Sequence, residues 1–334
     1  MAEPRTDWTR EEIRDIYHLP VFELLHRAHT VHREHFRPGE VQVSTLLSIK
    51  TGGCPEDCSY CAQSAHYDTG VAAQPLMALD DVLAGARKAR AAGATRFCMG
   101  AAWRQARAGA EFDRVLEMVR GVSALGLETC CTLGMLTADQ AHRLKAAGLH
   151  AYNHNIDTAE EFYGNIISTR TYADREATIR HVREAGITVC TGGILGMGET
   201  DAHRVGFLHR LATFAPHPES VTVNALIPAK GTPLAHQQPV SPLVLMRVIA
   251  TARILMPRSM VRLSAGRTEL SPESHLLCFY AGANSIFAGD RLLTAPNPDL
   301  GADERLFREL GLKVMPRDSA PDHPARVGGA AAEG

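Results

Sequence analysis

The sequence has no long apolar segment and no excess of one charge. No apolar run approaches the ~18 residues of a membrane-spanning helix, and 35 basic residues nearly balance 37 acidic ones, for a formal net charge of -2. A balanced surface lacks the positive field that attracts nucleic acid or an anionic membrane. The first residues, MAEPRTDWTREEIRD, are charged, so we expect no secretory signal. The expectation is a cytoplasmic protein without nucleic-acid or membrane partners.

The sequence also lacks the second cysteine pair that a structural zinc site requires. Cys54, Cys58 and Cys61 form a Cys-x3-Cys-x2-Cys run in GGCPEDCSYCAQ, and the other five cysteines lie far from it. Structural zinc normally takes four protein ligands, and a disulfide framework is not expected in a cytosolic chain of this length. Three thiolates with one open position favour an iron–sulfur cluster that keeps one iron free for a small molecule. A zinc knuckle, or thiols that simply pack, are the alternatives.

Strand-like and helix-like segments alternate along the chain. Two amphipathic helices are predicted within residues 9–36. Eight strands, each followed by a helical segment, are predicted at 41–53, 95–100, 127–134, 149–157, 187–196, 220–228, 260–266 and 284–290. Eight βα units favour a parallel sheet closed into an α/β, TIM-type (βα)8 barrel. The predicted organisation is an N-terminal helical extension (1–40), the barrel (41–312) and a disordered tail (313–334), without a second domain.

Several motifs in a fixed order resemble one enzyme family. The cysteine run, with the aromatic Tyr60 before its third cysteine, is similar to the signature of the radical S-adenosylmethionine (SAM) enzymes. From about residue 40 to 312 the chain resembles the biotin synthase family still more closely. The motifs that carry this resemblance are GGCPEDCSYCAQS, YNHNIDT (152–158), EFYGNIISTRTY (161–172), GGILGMGET (192–200), VRLSAGR (261–267) and AGANSIFAGD (281–290).

The resemblance implies radical chemistry on bound cofactors. In such enzymes a 4Fe-4S cluster, here expected on Cys54, Cys58 and Cys61, binds SAM on its unique iron. One electron then cleaves SAM to methionine and a 5′-deoxyadenosyl radical, which abstracts hydrogens from dethiobiotin. A 2Fe-2S cluster donates the sulfur, which completes the last step of biotin biosynthesis. The expected enzyme is a sulfurtransferase in which no side chain acts as acid or base, and the barrel shields the radical from solvent.

The resemblance assigns the 2Fe-2S cluster to three cysteines and an arginine. Cys98, Cys130, Cys190 and Arg262 each fall in a predicted strand. Alternate strand residues point into a barrel, so positions on different strands can converge. Without the resemblance, a single strand cysteine would be a small apolar core residue, and Arg262 a buried ion-pair partner.

Adjacent cysteines in LETCCTLG leave one ligand open between Cys130 and Cys131. Neighbouring strand residues face opposite ways, so only one of them can point into the barrel. The family pattern of a cysteine, any residue and then Thr-Leu-Gly selects Cys130. Cys131 is then expected to pack against the surrounding helices.

The resemblance also assigns contacts to the two substrates. The ureido ring of dethiobiotin is expected on Asn153, Asn155 and Asn224, and SAM on Tyr60, Asn155, Asp157, Arg175, Gly192, Ile194 and Gly196. Amide side chains match the N–H and carbonyl groups of a ureido ring, and ribose hydroxyls would satisfy an inward aspartate. By period two, Asn153, Asn155 and Asp157 share one face of the predicted fourth strand. The glycines permit close approach of the backbone to a ligand.

Two of these features have plainer interpretations. Arg175 alone would be a surface arginine in the first turn of a helix. His26, His29, His32 and His35 recur every third residue, and we interpret them as a solvated helix face rather than as metal ligands.

Two other functions stay open from the sequence. Another radical SAM barrel enzyme with an auxiliary cluster would be separated by a substrate assay. A non-enzymatic iron–sulfur or zinc sensor would yield no 5′-deoxyadenosine from SAM. The resemblance further implies a small electron-transfer partner, such as flavodoxin or ferredoxin, and a homodimer.

Overall fold

Parallel strands close into a barrel in the structure, a computed structural model that describes residues 3–289 and 291–316. Neighbouring strands pair in chain order, and the first also pairs with the eighth to close the ring. This confirms the predicted eight-stranded barrel. The barrel strands are β1 (Glu40–Lys50), β2 (Arg96–Ala101), β3 (Glu128–Thr132), β4 (Ala151–Asn153), β5 (Thr188–Leu195), β6 (Ser220–Ala225), β7 (Met260–Leu263) and β8 (Ser285–Phe287).

Helices surround the barrel, and two of them precede it, as predicted. Four begin at threonines whose side chains accept a backbone N–H three residues on, which satisfies a helix start. None of the helices in the described part of the chain is long and apolar enough to cross a bilayer. The helices are α1 (Arg10–Tyr17), α2 (Val21–His35), α3 (Leu79–Ala91), α4 (Ala110–Ala124), α5 (Ala138–Ala146), α6 (Glu160–Tyr163), α7 (Tyr172–Glu184), α8 (Asp201–Ala212), α9 (Pro242–Leu255), α10 (Pro272–Tyr280) and α11 (Leu300–Leu310).

Three short strands follow β8. β9 (Arg291–Leu292) and β10 (Ala295–Pro296) form an antiparallel hairpin, and β11 (Lys313–Val314) pairs in parallel with the start of β1. The predicted disordered tail, 313–334, therefore begins with a paired strand. Its remainder from residue 317 lies outside the described residues.

Two apolar regions lie on opposite sides of the barrel wall. The larger one fills the space between strands and helices. The smaller one lies inside the barrel and contains Cys98, Cys130, Ala151, Phe287 and Leu292. Bulky branched side chains usually fill the interior of such a barrel. Cys98, Cys130 and Ala151 are smaller than such residues, which leaves room for a cavity.

One sequence-based interpretation of the N-terminal helices is wrong. His32 is only 5% exposed and its ring stacks on Phe36, so it is not part of a solvated face. The reason is the helical period, since a spacing of three residues falls short of one full turn. His26 and His32 are therefore about 240° apart around the axis of α2, and only His26 is exposed.

Candidate functional site

The three clustered cysteines lie in one loop at the carboxyl end of β1. Cys58 is buried, whereas Cys54 and Cys61 are half-buried. Backbone bonds shape the loop: Cys54 N donates to Gln63 O (2.9 Å) and Cys61 N donates to Cys58 O (2.9 Å). Gly52 has a φ of +69°, and a Cβ there would lie 2.6 Å from Ala72 O, so only glycine fits this turn.

Burial disfavours the charged form of these thiols. It raises the pKa of Cys58 to about 12 and that of Cys61 to about 11. The thiols would therefore need a bound cation to be held as thiolates at neutral pH. Among the described residues, no three His, Cys, Asp or Glu side chains are placed to share a single metal ion. A cluster of several irons spreads its ligands over different metal atoms.

A second group of thiols lies inside the barrel. Cys98 and Cys130 are direct partners in the β2–β3 register, and both are at most 2% exposed. A hydrogen bond from Cys130 lowers the pKa of Cys98; burial opposes this effect, and the Arg262 guanidinium supports it. Cys190, on β5, is fully buried, and its sulfur lies 3.8 Å from Arg262 Nη1. The structure thus brings these four residues together.

The hydrogen-bond partners of the Arg262 guanidinium are neutral. Its Nε donates to Ser285 Oγ (2.9 Å), and its Nη2 donates to Gln42 Oε1 (3.1 Å) and Ser44 Oγ (3.2 Å). Its guanidinium also lies 4.6 Å from the centre of the Phe287 ring. A buried charge is costly unless it is compensated. Thiolates in this interior would compensate it, so the donor set fits a cysteine-ligated cluster.

The adjacent cysteines face opposite sides of the barrel wall. Cys130 lies in the interior apolar region, and Cys131 lies in the region between strands and helices. Burial raises the pKa of the Cys131 thiol well above its usual range. Cys131 is therefore a neutral packed thiol.

An ion pair lies on the same two strands, two residues before the interior thiols. Arg96 and Glu128 are register partners at the starts of β2 and β3, and Arg96 Nε lies 2.9 Å from Glu128 Oε2. Both side chains are 1% exposed. No motif in the sequence marks Arg96 or Glu128 as part of the site.

Asparagine side chains lie over the interior thiols. A cavity of about 170 Å³, here called the lower cavity, is lined by Cys98, Cys130, Asn153, Asn155, Asn224 and Arg262 among others. Asn155 Oδ1 accepts from Asn153 Nδ2 (3.2 Å) and from Thr222 Oγ1 (2.8 Å). Asn224 links β5 to the segment after β7, since its Nδ2 donates to Gly193 O and its Oδ1 accepts from Ala265 N. Each amide keeps unused donor or acceptor capacity for a ligand.

The prediction that these polar residues share a strand face is only partly right. β4 ends at Asn153, so Asn155 and Asp157 lie in the loop that follows it. Asp157 has a φ of +67°, which no strand residue adopts, and its backbone bonds with Gly192 and Ile194. Asp157 therefore pairs with β5 again, opposite Gly193, after a break that follows β4.

Asp157 and Arg175 form the centre of a buried polar network. Arg175 Nη2 lies 2.5 Å from Asp157 Oδ2, Tyr60 Oη donates to the same oxygen (2.8 Å), and Arg175 Nε donates to Tyr163 Oη (2.8 Å). Arg175 is 5% exposed, so the interpretation as a surface arginine is wrong. α7 begins at Tyr172, which places Arg175 in its first turn. No role for Tyr163 follows from its sequence position alone.

The glycine-rich segment at the end of β5 shapes the space above the lower cavity. A second cavity of about 340 Å³, here called the upper cavity, is lined by Tyr60, Cys61, Ile194 and Asn224 among others. Gly192 faces β6 so closely that a Cβ would overlap Thr222 O. Gly196 has a φ of +94°, and its N–H donates to Glu199. These glycines thus permit close strand packing and a turn, and Ile194 is the segment's side chain in the cavity.

Some contacts around Arg262 and the two cavities have little signal in a single sequence. Gln42, Ser44 and Ser285 surround Arg262 from β1 and β8, far apart in the chain. Only the period-two pattern of their strands could indicate that they face inward. Leu292 and Leu293 of the β9–β10 hairpin line both cavities, although the hairpin strands are too short to predict.

Two family models and many curated proteins match the chain. The Radical SAM superfamily model matches residues 48–211, and the Biotin and Thiamin Synthesis associated domain model matches residues 222–313. The biotin synthase of Cytophaga hutchinsonii is 59% identical over 96% of this chain and 94% of its own length. That of Methylobacterium nodulans is 61% identical over 93% of both chains.

Solved structures share the fold at low sequence identity. Methylornithine synthase superposes with a TM-score of 0.76 at 19% identity, covering 92% of this chain and 94% of that chain. The FeFe-hydrogenase maturase HydG from Carboxydothermus hydrogenoformans gives a TM-score of 0.76 at 17% identity, covering 91% and 75%. At such identities the likeness shows the fold alone.

Proposed function

The chain belongs to the biotin synthase family of radical SAM enzymes, and on that premise we propose which of its residues carry the reaction. The reaction inserts sulfur into dethiobiotin to form biotin, with SAM as co-substrate. Its cofactors are a 4Fe-4S cluster, a 2Fe-2S cluster and SAM. When bound, the first cluster supplies the electron that cleaves SAM, and the second supplies the sulfur atom.

Cys54, Cys58 and Cys61 are the ligands of the 4Fe-4S cluster in this proposal. Their loop lies at the carboxyl end of β1, the end at which barrel enzymes carry their active sites. Cys61 and Tyr60 line the upper cavity, so a ligand on the open position of a cluster would lie there.

Cys98, Cys130, Cys190 and Arg262 hold the 2Fe-2S cluster. The observation that carries this assignment is a fully buried guanidinium with neutral hydrogen-bond partners beside three inward thiols. Arg253 is equally buried and donates to backbone carbonyls and to Asn284, so the feature that distinguishes Arg262 is the thiol beside it. Arg96 and Glu128, two residues earlier on their strands, support the positions of the β2 and β3 thiols.

The amides of Asn153, Asn155 and Asn224 bind the ureido ring of dethiobiotin. They line the lower cavity together with the thiols, so the substrate carbons would lie close to the sulfur source. Asn155 Oδ1 already accepts two hydrogen bonds, which leaves its Nδ2 to donate to the ureido carbonyl.

SAM occupies the upper cavity, which Tyr60 and Ile194 line, and reaches beyond it to Asn155 and to the Asp157–Arg175 pair. Asn155 and Asp157 bind its ribose, and Arg175 binds its carboxylate. A zwitterionic ligand fits an opposite-charge pair such as Asp157 and Arg175, which lie in direct contact. Tyr60 and Tyr163 orient this pair from either side, and Gly192, Ile194 and Gly196 form the wall beside the adenosine.

Two further proposals rest on the family resemblance alone, a small electron donor such as flavodoxin or ferredoxin and a homodimer. A cytoplasmic location and the division into a helical extension (1–40), the barrel (41–312) and a tail (313–334) are proposed from the sequence patterns.

Anaerobic reconstitution with iron and sulfide tests the function directly. The wild type should form biotin and 5′-deoxyadenosine from dethiobiotin, SAM and a reductant. A different radical SAM enzyme would cleave SAM but form no biotin, and a sensor would form neither product.

The variant Cys58→Ala tests the first cluster. Two thiolates do not hold a cubane with an open iron, so SAM cleavage should be lost. The 2Fe-2S absorption should remain, because its ligands lie on other strands. Normal formation of 5′-deoxyadenosine by this variant would contradict the assignment of the cysteine loop.

A further inference from the structure

The barrel wall has a gap between its first and last strands. β1 and β8 pair only from Gln42 to Ser44, and the Ala288 N–H closes this contact on Ser44 O (2.8 Å). β1 continues to Lys50 along β2. Beyond Ser44, in the described residues, no strand pairs with the edge of β1 that faces β8.

The β9–β10 hairpin fills this gap. Leu292 points into the interior apolar region beside Cys98 and Cys130. Leu293 packs on the inner face of β2, since a Cβ on Gly100 would lie 2.8 Å from its Cδ2. Leu292 and Leu293 therefore close the wall, and Leu293 is the one that packs on β2.

Leu293 has an unusual backbone conformation. Its φ is +57°, at the first central position of a two-residue hairpin turn. Glycine, asparagine or aspartate is the favoured residue there, because a Cβ is strained at positive φ. A leucine at such a strained position indicates that its side chain is needed to fill the gap in the barrel wall.

A cavity of about 640 Å³, here called the side cavity, lies outside the gap. Both faces of β1 line it through Thr45, Leu46, Leu47 and Ser48, together with residues of α3 and the start of α11. Its volume is in the range of small-molecule sites, roughly 300–1,000 Å³. Leu293 lines the side cavity, the lower cavity and the upper cavity. Leu46 of β1 also lines the side cavity and the lower cavity, so Leu46 and Leu293 together separate the side cavity from the proposed substrate site.

The walls of the side cavity match a molecule with an aliphatic chain and a carboxylate. Leu47, Ala89 and Phe97 supply apolar surface, and the exposed cations Lys88 and Arg291 lie among its lining residues. Asp299 is the one carboxylate among the described lining residues. Dethiobiotin and biotin both carry an aliphatic chain that ends in a carboxylate.

Bound SAM would limit access to the lower cavity from the top of the barrel. SAM in the upper cavity would lie between the cysteine loop and the lower cavity, which closes the route through the barrel mouth. We propose that dethiobiotin reaches the lower cavity from the side, between β1 and β8, with the side cavity as its first binding site and Leu293 as the gate. This inference rests on the proposed function, because it takes the lower cavity as the substrate site.

Gly85→Leu tests the route away from the catalytic residues. Gly85 lies on α3 in the side cavity, and a Cβ there makes only ordinary contacts, with Leu47 (3.4 Å) and Phe97 (3.8 Å). Leucine also favours the helix. The association and release of labelled dethiobiotin are measured by rapid filtration, with SAM present and no reductant. Both rate constants should fall by about tenfold, and their ratio, the dissociation constant, should stay unchanged. A blocked route raises the barrier to entry and exit but leaves the bound state as it is. An association rate within about twofold of the wild type would overturn the proposal.

A charge-matched pair of variants keeps the test independent of cavity packing. Lys88→Glu should slow dethiobiotin association by several-fold, and this effect should shrink at high salt. Arg87→Glu makes the same change in net charge one residue away, on a side chain that does not line the side cavity, and should stay near the wild-type rate. Equal effects of the two variants would overturn the proposal. Biotin formation by the wild type tests the proposed function. The ratio of variant to wild-type association rates tests the route. Failure of the proposed function can therefore be distinguished from failure of the proposed route.

Discussion

At the scale of single residues, the proposed SAM site is a set of buried charges fixed by neighbours. Arg175 uses three nitrogens on three different groups: Asp157, the Asn155 carbonyl and the Tyr163 hydroxyl. A planar guanidinium held at three points has one orientation. The position of the site therefore depends on Tyr163, a residue that touches no reacting atom in our proposal.

The variant Tyr163→Phe should weaken SAM binding. It removes a hydrogen bond to a charged group, worth about 1.5 kcal/mol or roughly tenfold in affinity. The KM for SAM should rise about tenfold while the rate at saturating SAM changes less, measured as 5′-deoxyadenosine formation.

The neighbouring Tyr172 supplies a matched control. Its ring packs edge-on against that of Tyr163, at 5.4 Å between centres, and its buried hydroxyl has no hydrogen-bond partner among the described residues. Tyr172→Phe should leave the KM for SAM unchanged. A wild-type KM in Tyr163→Phe, or an equal rise in both variants, would contradict the positioning role.

At the scale of elements, the N-terminal extension is part of the barrel's packing. α2 lies against α9, where His32 packs on Phe36, and the Arg253 guanidinium lies 4.5 Å from the centre of the same Phe36 ring. Burial, and next the charge of Arg253 and of His29, lowers the pKa of His32 to about 3. The folded state thus holds this imidazole neutral.

The linkage gives this histidine a defined pH dependence. The pKa of His32 is lower in the folded state than in the unfolded chain. Its contribution to the free energy of unfolding is therefore complete above about pH 6.5 and is lost as the pH falls toward 3. At about pH 5 the loss is about 2 kcal/mol in the free energy of unfolding. His32→Leu should remove this part of the slope, measured by urea unfolding at about pH 7 and about pH 5. The exposed His26→Leu is the control, and an unchanged slope in His32→Leu would refute the linkage.

Elements also show where sequence reasoning succeeds. The eight strands are predicted correctly from repeated β-rich segments between helical ones. The inward position of Cys130 is predicted by the family pattern together with the alternation of strand side chains. β4 is shorter than predicted: it ends at Asn153, and Asp157 pairs with β5 again only beyond this break, with a positive φ. Local patterns do not contain such contacts between distant residues.

At the scale of the whole molecule, the fold stacks two sites along one barrel axis. The cysteine loop and the upper cavity lie at the top, and the lower cavity with its thiols and Arg262 lies beneath them. The stacking depends on pairs of residues far apart in sequence, such as Arg262 with Gln42, which no single motif reveals. It brings a proposed radical source and a proposed sulfur source to opposite sides of one substrate.

The central claim is that the interior thiols and Arg262 hold the sulfur-donating cluster, and the adjacent cysteines test it within one strand. Cys130→Ser removes an inward thiol, whereas Cys131→Ser places a hydroxyl between strand and helices, at a cost of about 1–3 kcal/mol in stability if it finds no partner. The measurement is iron and sulfide content and biotin yield of both variants after anaerobic reconstitution. We predict that Cys130→Ser loses the 2Fe-2S cluster and biotin formation, and that Cys131→Ser keeps both. Loss of the cluster in Cys131→Ser, with retention in Cys130→Ser, would contradict the assignment.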